Sequence, residues 1–162
     1  EYYERNPAKS GLLHYASRFL STEGKRDGLY FPTQEGEDPS PLGELFAKAK
    51  AEGYGKGEKG KPTPYHGYIF RILDGQGPHA TGGAYSYLAQ GKLLGGFALV
   101  AAPASYGSSG VMTFLVNQDG VLFEKHPGPN TAPLAPAIKL FDPDETWKRV
   151  PDPEEEPMAV AE

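Results

Sequence analysis

Four histidines, His14, His66, His79 and His126, are the side chains of this chain best suited to proton transfer or metal binding. They lie far apart, with neither an HxH nor an HxxxH spacing. A zinc site needs several imidazoles or carboxylates to converge on one point, so no metal is expected. The loop SYGSSG supplies Ser105, Ser108 and Ser109 between two apolar runs. A nucleophilic serine needs a positioned base and an oxyanion hole, and neither GxSxG nor SxxK occurs here. A hydrolase or small-ligand binder built on this chain would draw on His66, His126 or those serines. The stretch NQDG, ending at Gly120, offers hard oxygens but lacks the acidic ladder and closing glutamate of an EF-hand loop. It reads as a turn. GQGPHATGG has close glycines without the strand-to-helix setting of a phosphate cradle. No catalytic residue and no cofactor is assigned.

The compositional excess is aromatic: ten tyrosines and eight phenylalanines, many of the tyrosines beside turns. A tyrosine there either anchors its loop on the core or presents a contact surface. Tyr2, Tyr3, Tyr54, Tyr85, Tyr87 and Tyr106 are the candidate contact residues.

Charge narrows the partners. The net charge is -5, yet eight of the 21 acids lie from Asp142 onward against only Lys148 and Arg149. That leaves 13 acids and 14 bases in residues 1–141, so the body is balanced and the acidity belongs to the tail. Nothing resembles the basic stripe that a nucleic-acid backbone demands. No apolar run approaches the ~20 residues of a membrane helix. With no cysteine, disulfides and thiolate sites are excluded. The chain opens on Glu1 rather than Met, which reads as a processed or truncated product.

The elements that must position these residues read as follows. Leu12, Leu13, Tyr15, Ala16, Phe19 and Leu20 recur at helical spacing and predict a helix over Leu12–Ser21. Ser40 as cap, Pro41 at the first turn and Gly53 beyond the end predict a second helix over Pro41–Glu52, with Leu42, Leu45, Phe46 and Ala49 inward. GYGKGEKGKPTP reads as a mobile surface loop. YIFRIL, GGFALVAAP, GVMTFLVNQ and GVLFEK read as strands, the last pair joined by a hairpin at NQDG. Phe97–Ala102 carries no charge and belongs inside the sheet, with Lys125 and Arg71 guarding edges. HATGGAYSYLAQGKLLGG fits a hairpin, a short helix or an ordered loop. Ala132–Phe141 fits a helix, against the weight of Pro133 and Pro136. PDPEEEPMAVAE has a disordered composition.

The fold expected is α+β: one domain over residues 1–150, an antiparallel meander of about four strands covered on one face by helices, with an acidic Pro-rich tail at 151–162. LLHYASRFLSTEGKRDGLYFP, PYHGYIFRIL, GGFALVAAPASYGSSGVMTFLVNQDGVLFEK and FDPDETW, in that order, resemble a bacterial family of unknown function, DUF2950. The likeness runs from Tyr2 to Val150. It implies a secreted, periplasmic or cell-surface setting and transfers no active site. EYYERN, HGYIFRI, FALVAAP and SGVMTFLVNQDGVLF also resemble the globular part of pilin-like and pseudopilin-like proteins. This sequence departs from that pattern in lacking the hydrophobic half of the long helix and in adding the helix at Ser40–Tyr54. The function expected is a non-catalytic structural or interaction protein that associates with itself. If the tail and the glycine-lysine loop are ordered, a neighbouring copy is their expected holder, because ordering costs about 1–2 kcal/mol per residue. A hydrolase or small-ligand-binding domain is the alternative.

Overall fold

The computed structural model describes residues 2–7, 9, 11–45, 64–129 and 134–152. In chain order the strands are β1 (Arg18–Leu20), β2 (Gly28–Tyr30), β3 (Tyr68–Leu73), β4 (Gly75–Gln76), β5 (Tyr85–Ser86), β6 (Leu88–Ala89), β7 (Lys92–Leu93), β8 (Ala98–Pro103), β9 (Thr113–Asn117), β10 (Leu122–Lys125) and β11 (Lys148–Arg149). The described residues also include the four-residue helices α1 (Tyr2–Arg5), before β1, and α2 (Leu134–Ala137), between β10 and β11.

A five-stranded antiparallel sheet organises the molecule, in the order β11-β10-β9-β8-β3. The four strands expected from the sequence are all present, and the uncharged run Phe97–Ala102 does lie inside, with β8 between β9 and β3. The short β11 adds a fifth, pairing Phe123 with Arg149 and Glu124 with Lys148. Along β8 the burial alternates residue by residue, the period that the pleat imposes. Ala98, Val100 and Leu115 point to one face with Leu73 and are all but fully buried. Each large aliphatic side chain buried this way contributes about 1.5–3 kcal/mol. The β9–β10 turn is closed by Gly120 N–H on Asn117 O at 3.0 Å, and Asn117 Oδ1 accepts from the N–H groups of Asp119 and Val121. Gly120 takes φ 77°, where a side chain would strain.

What covers the inner face differs from the expectation. Instead of helices, the layer is built from ribbons and loops. The ambiguous stretch from His79 holds short strands: β5 pairs back with β4, and β6 pairs with β7. Tyr87 seats it, donating its N–H to Asp74 O and accepting from Leu94 and Gly95. Phe141 returns beside β4, bonded to Gly75 and Gly77 through its main chain. Tyr87, Leu93, Ala80 and Phe141 complete the core cluster.

The helix predicted over Leu12–Ser21 is not formed. That stretch is extended: Tyr15 N–H bonds Leu93 O at 2.9 Å, and β1 pairs in parallel with β2. A ten-residue helix is marginal by itself, and its two serines and two aromatics are only middling helix formers. The Leu93 carbonyl and the β2 edge offer its backbone partners that helical periodicity cannot reveal. Leu12, Leu13 and Leu20 are left about half exposed. Of the helix predicted over Pro41–Glu52, residues 43–45 are helical, with Gly43 N–H on Ser40 O at 2.7 Å. Pro41 and Leu42 form a turn, and residues 46–52, the loop GYGKGEKGKPTP up to Thr63 and the tail from Pro153 lie outside the described residues. Within the predicted helix Ala132–Phe141, residues 134–137 are helical.

Candidate functional site

The serine loop caps the end of the sheet where β8 leaves and β9 enters. Ser109 Oγ donates to Ser105 O and accepts from Ser105 N–H, both at 3.0 Å. Its hydroxyl is committed to its own turn. The loop packs onto the turn holding His66: a Cβ at Gly67 would sit 2.8 Å from Ser109 Cβ. Gly110 lies against the Tyr68 hydroxyl, which leaves no room for a side chain there. His126 Nε2 is 3.1 Å from the Tyr106 hydroxyl, with the rings edge to face. The fold thus brings Ser109 to the His66–Gly67 turn, and His126 to Tyr106. This close packing forms a structural corner.

A second polar cluster lies beside the core. Asp142 Oδ1 accepts from the His79 N–H at 2.8 Å and lies 3.0 Å from His79 Nδ1. Its carboxyl is wedged against Gly77, which leaves no room for a side chain there. Two residues on, Asp144 accepts from both the N–H and the hydroxyl of Thr146. Those bonds, with Lys125 and His79 nearby, hold Asp144 below the usual carboxylate range. Lys125 donates to Thr146 Oγ1 and lies over the Trp147 ring. His79 with Asp142 has the form of an oriented base, but its ring is more than half exposed. Among the described residues, no group of three or more histidine, aspartate or glutamate side chains converges as a metal site would require.

The third feature is apolar. The outer face of the large sheet carries Tyr68, Phe70, Leu99, Ala101, Phe114, Val116 and Leu122 around a shallow open depression of about 340 Å³. Each is partly or well exposed, Phe70 to 40%. Of the five charged residues in the sheet's strands, the pairing register puts only Glu124 and Lys148 on this face, side by side at one rim. Residues 1–150 match the model of a family described as a protein of unknown function, DUF2950. The chain belongs to the DUF2950 family. No curated protein and no solved structure matches it.

In this DUF2950 chain the candidate tyrosines divide by burial. Tyr87 is fully buried and donates to Gln76 Oε1 at 3.0 Å. Tyr2 is 4% exposed and donates to Arg26 O. Burial pushes both hydroxyls up to about 12, with Asp27 adding for Tyr2 and Tyr85 and Asp119 for Tyr87. These two anchor loops and present no surface. Tyr3 stacks on Tyr15, Tyr85 packs edge-on against Tyr87, and Tyr106 meets His126. Tyr54 lies outside the described residues. The reading by residue type missed the outer sheet face and the Asp142 cluster. Alternation in β8 and β9 with apolar residues in both phases was the signal for the first, and FDPDETW, with acids two residues before Asp144 and Thr146, for the second.

Proposed function

We propose that this protein is a non-catalytic extracytoplasmic structural or interaction protein that works through the outer face of its sheet. The observation behind this reading is the apolar depression around Leu99, Phe114 and Val116, uncharged except at one rim. An apolar sheet face is stable when another layer covers it, and exposed patches of this kind mark binding surfaces. The polar candidates favour the same reading, because the Ser109 hydroxyl and the His126 ring nitrogen are spent on structural bonds. The partner in this reading is a second copy of the chain. Its finer, pilin-like form adds open-ended filament growth.

The test pairs an apolar fluorescent dye with an activated ester. The folded chain should enhance dye fluorescence, and Val116→Lys should remove most of that signal while the unfolding midpoint stays within a few degrees. Absence of dye binding to the wild type overturns the choice of face. Ester turnover that disappears in His126→Ala overturns the non-catalytic reading and favours the hydrolase.

A further inference from the structure

We infer that Asp119 is a site of spontaneous isoaspartate formation, the one Asp-Gly pair of this chain that the fold leaves open to that reaction. The chain has three such pairs, Asp27-Gly28, Asp74-Gly75 and Asp119-Gly120. In each, the glycine nitrogen can attack the Cγ of the protonated aspartate carboxyl. Water leaves and a succinimide ring closes. A second water then opens the ring, and opening at the α-carbonyl leaves the chain linked through the side-chain carbonyl. The product is an isomer of the same mass, and no oxidant, metal or enzyme is consumed. Glycine favours the step because it has no side chain to crowd the approach of the two groups.

Ring closure needs the carboxyl to swing over the next peptide and that peptide to turn, so bonds and close packing on either part suppress it. At Asp27 the carboxyl accepts from the Thr22 N–H and hydroxyl, and Gly28 N–H donates to Ser21 Oγ at 2.9 Å. Gly28 is itself buried against the Leu20–Ser21 main chain. Around Asp74 the main chain is pinned on both sides of the bond: Asp74 O accepts from Tyr87 N–H, and Gly75 O from Phe141 N–H. Gly75 is buried beside Leu140 and the β5 main chain. Asp119 and Gly120 are both exposed at the tip of the β9–β10 hairpin, with open space where a side chain at Gly120 would stand. The Asp119 carboxylate is held only from within the turn, by Asn117 Nδ2 at 3.0 Å and Gln118 Nε2 at 3.5 Å. The attacking Gly120 N–H is bonded to Asn117 O at 3.0 Å. These bonds are lost together when the turn opens, and exposed turns open at little free-energy cost. Gln118 Oε1 also accepts from Phe97 N–H at 3.3 Å, tying the tip to the chain that enters β8. Isomerisation puts an extra main-chain methylene beside that tie and should loosen it.

Ageing the full chain at mildly acidic pH, followed by digestion and fragmentation of the peptides, locates each isoaspartate. In the folded chain it should accumulate at Asp119 about tenfold or more faster than at Asp27 or Asp74. In denaturant the three sites should react at similar rates, because the dipeptide is the same and the fold is gone. Asn117→Ala removes the side-chain bonds to the Asp119 carboxylate and to the N–H groups of Asp119 and Val121. It should speed the reaction at Asp119 several-fold, with circular dichroism confirming the fold. Asp119→Glu should abolish the signal at that position, and the aged wild type should show faster exchange of the Phe97 amide. Isoaspartate forming at Asp27 or Asp74 as fast as at Asp119 in the folded wild type overturns the inference. So does its absence at Asp119 in a folded chain whose denatured form acquires it. These two outcomes are read on the wild type, so they decide the matter even where a variant fails to fold.

Discussion

Gln76 shows how this chain satisfies polar groups inside its core. Its amide donates to Thr81 O and Gly83 O, and its oxygen accepts from Tyr87. Tyr87→Phe leaves that oxygen buried and unpaired, so denaturant unfolding should show a loss of about 1–3 kcal/mol. The same hydroxyl sets an alkaline limit. Its folded pKa of about 12 stands above the ordinary 10.0, so its contribution is complete below pH 10 and is lost as pH rises toward 12. Tyr2 acts in the same direction. The unfolding midpoint should therefore fall steeply over that interval, and less steeply in Tyr87→Phe. Thr113 is the opposite case. It is 1% exposed and, among the described residues, its hydroxyl has no hydrogen-bond partner. Thr113→Val keeps the shape and removes an unpaired polar atom, so it should stabilise by about 1 kcal/mol in the same measurement.

At the scale of elements, a side-chain clasp reinforces the few ladder bonds of the β1–β2 pair. Asp27 accepts from the Thr22 N–H and hydroxyl, both at 2.8 Å, with Arg18 3.8 Å away. Burial pushes Asp27 up, but the Thr22 bonds and Arg18 outweigh it and hold the carboxyl below its ordinary 3.8. A depressed folded pKa stabilises above 3.8 and is lost as pH falls through the folded value. Asp27→Ala should cost about 1 kcal/mol at neutral pH. It should also speed amide exchange in residues 18–30 and flatten the acid side of the stability profile below pH 3.8. Unchanged exchange in that segment would mean the ladder alone holds the pair.

On the whole-molecule scale the two faces of one sheet carry unequal weight, and neighbours in sequence separate them. Leu115 is 1% exposed against Tyr87 and Phe141 in the core cluster, whereas Val116 lines the outer depression. Leu115→Ala should cost about 2–5 kcal/mol, the range for emptied core sites. Val116→Ala should cost less than about 1 kcal/mol, because little buried surface is removed. Comparable losses at both positions would show that the outer face is covered in the isolated chain.

Strand content, the interior place of β8, the antiparallel meander and the hairpin at Gly120 were all legible from the residues. Period-2 runs, an uncharged segment and an Asp-Gly turn act through neighbours a few positions away. Membership of the DUF2950 family was equally legible, because long phrases carry it across residues 1–150. The segment around Tyr15 was misread as helix because its partners, the Leu93 carbonyl and β2, come from elsewhere in the chain. Two-residue strands such as β4 and β11 are too short to carry a period, and only tertiary hydrogen bonding defines them. The same holds for the sites. Residue types nominated the serines and tyrosines, but packing decided that Ser109 bonds its own turn and that Tyr87 is buried. It also decided that the apolar phase of β9 carrying Val116 faces outward, while the alternate phase, with Thr113 and Leu115, is buried on the core side.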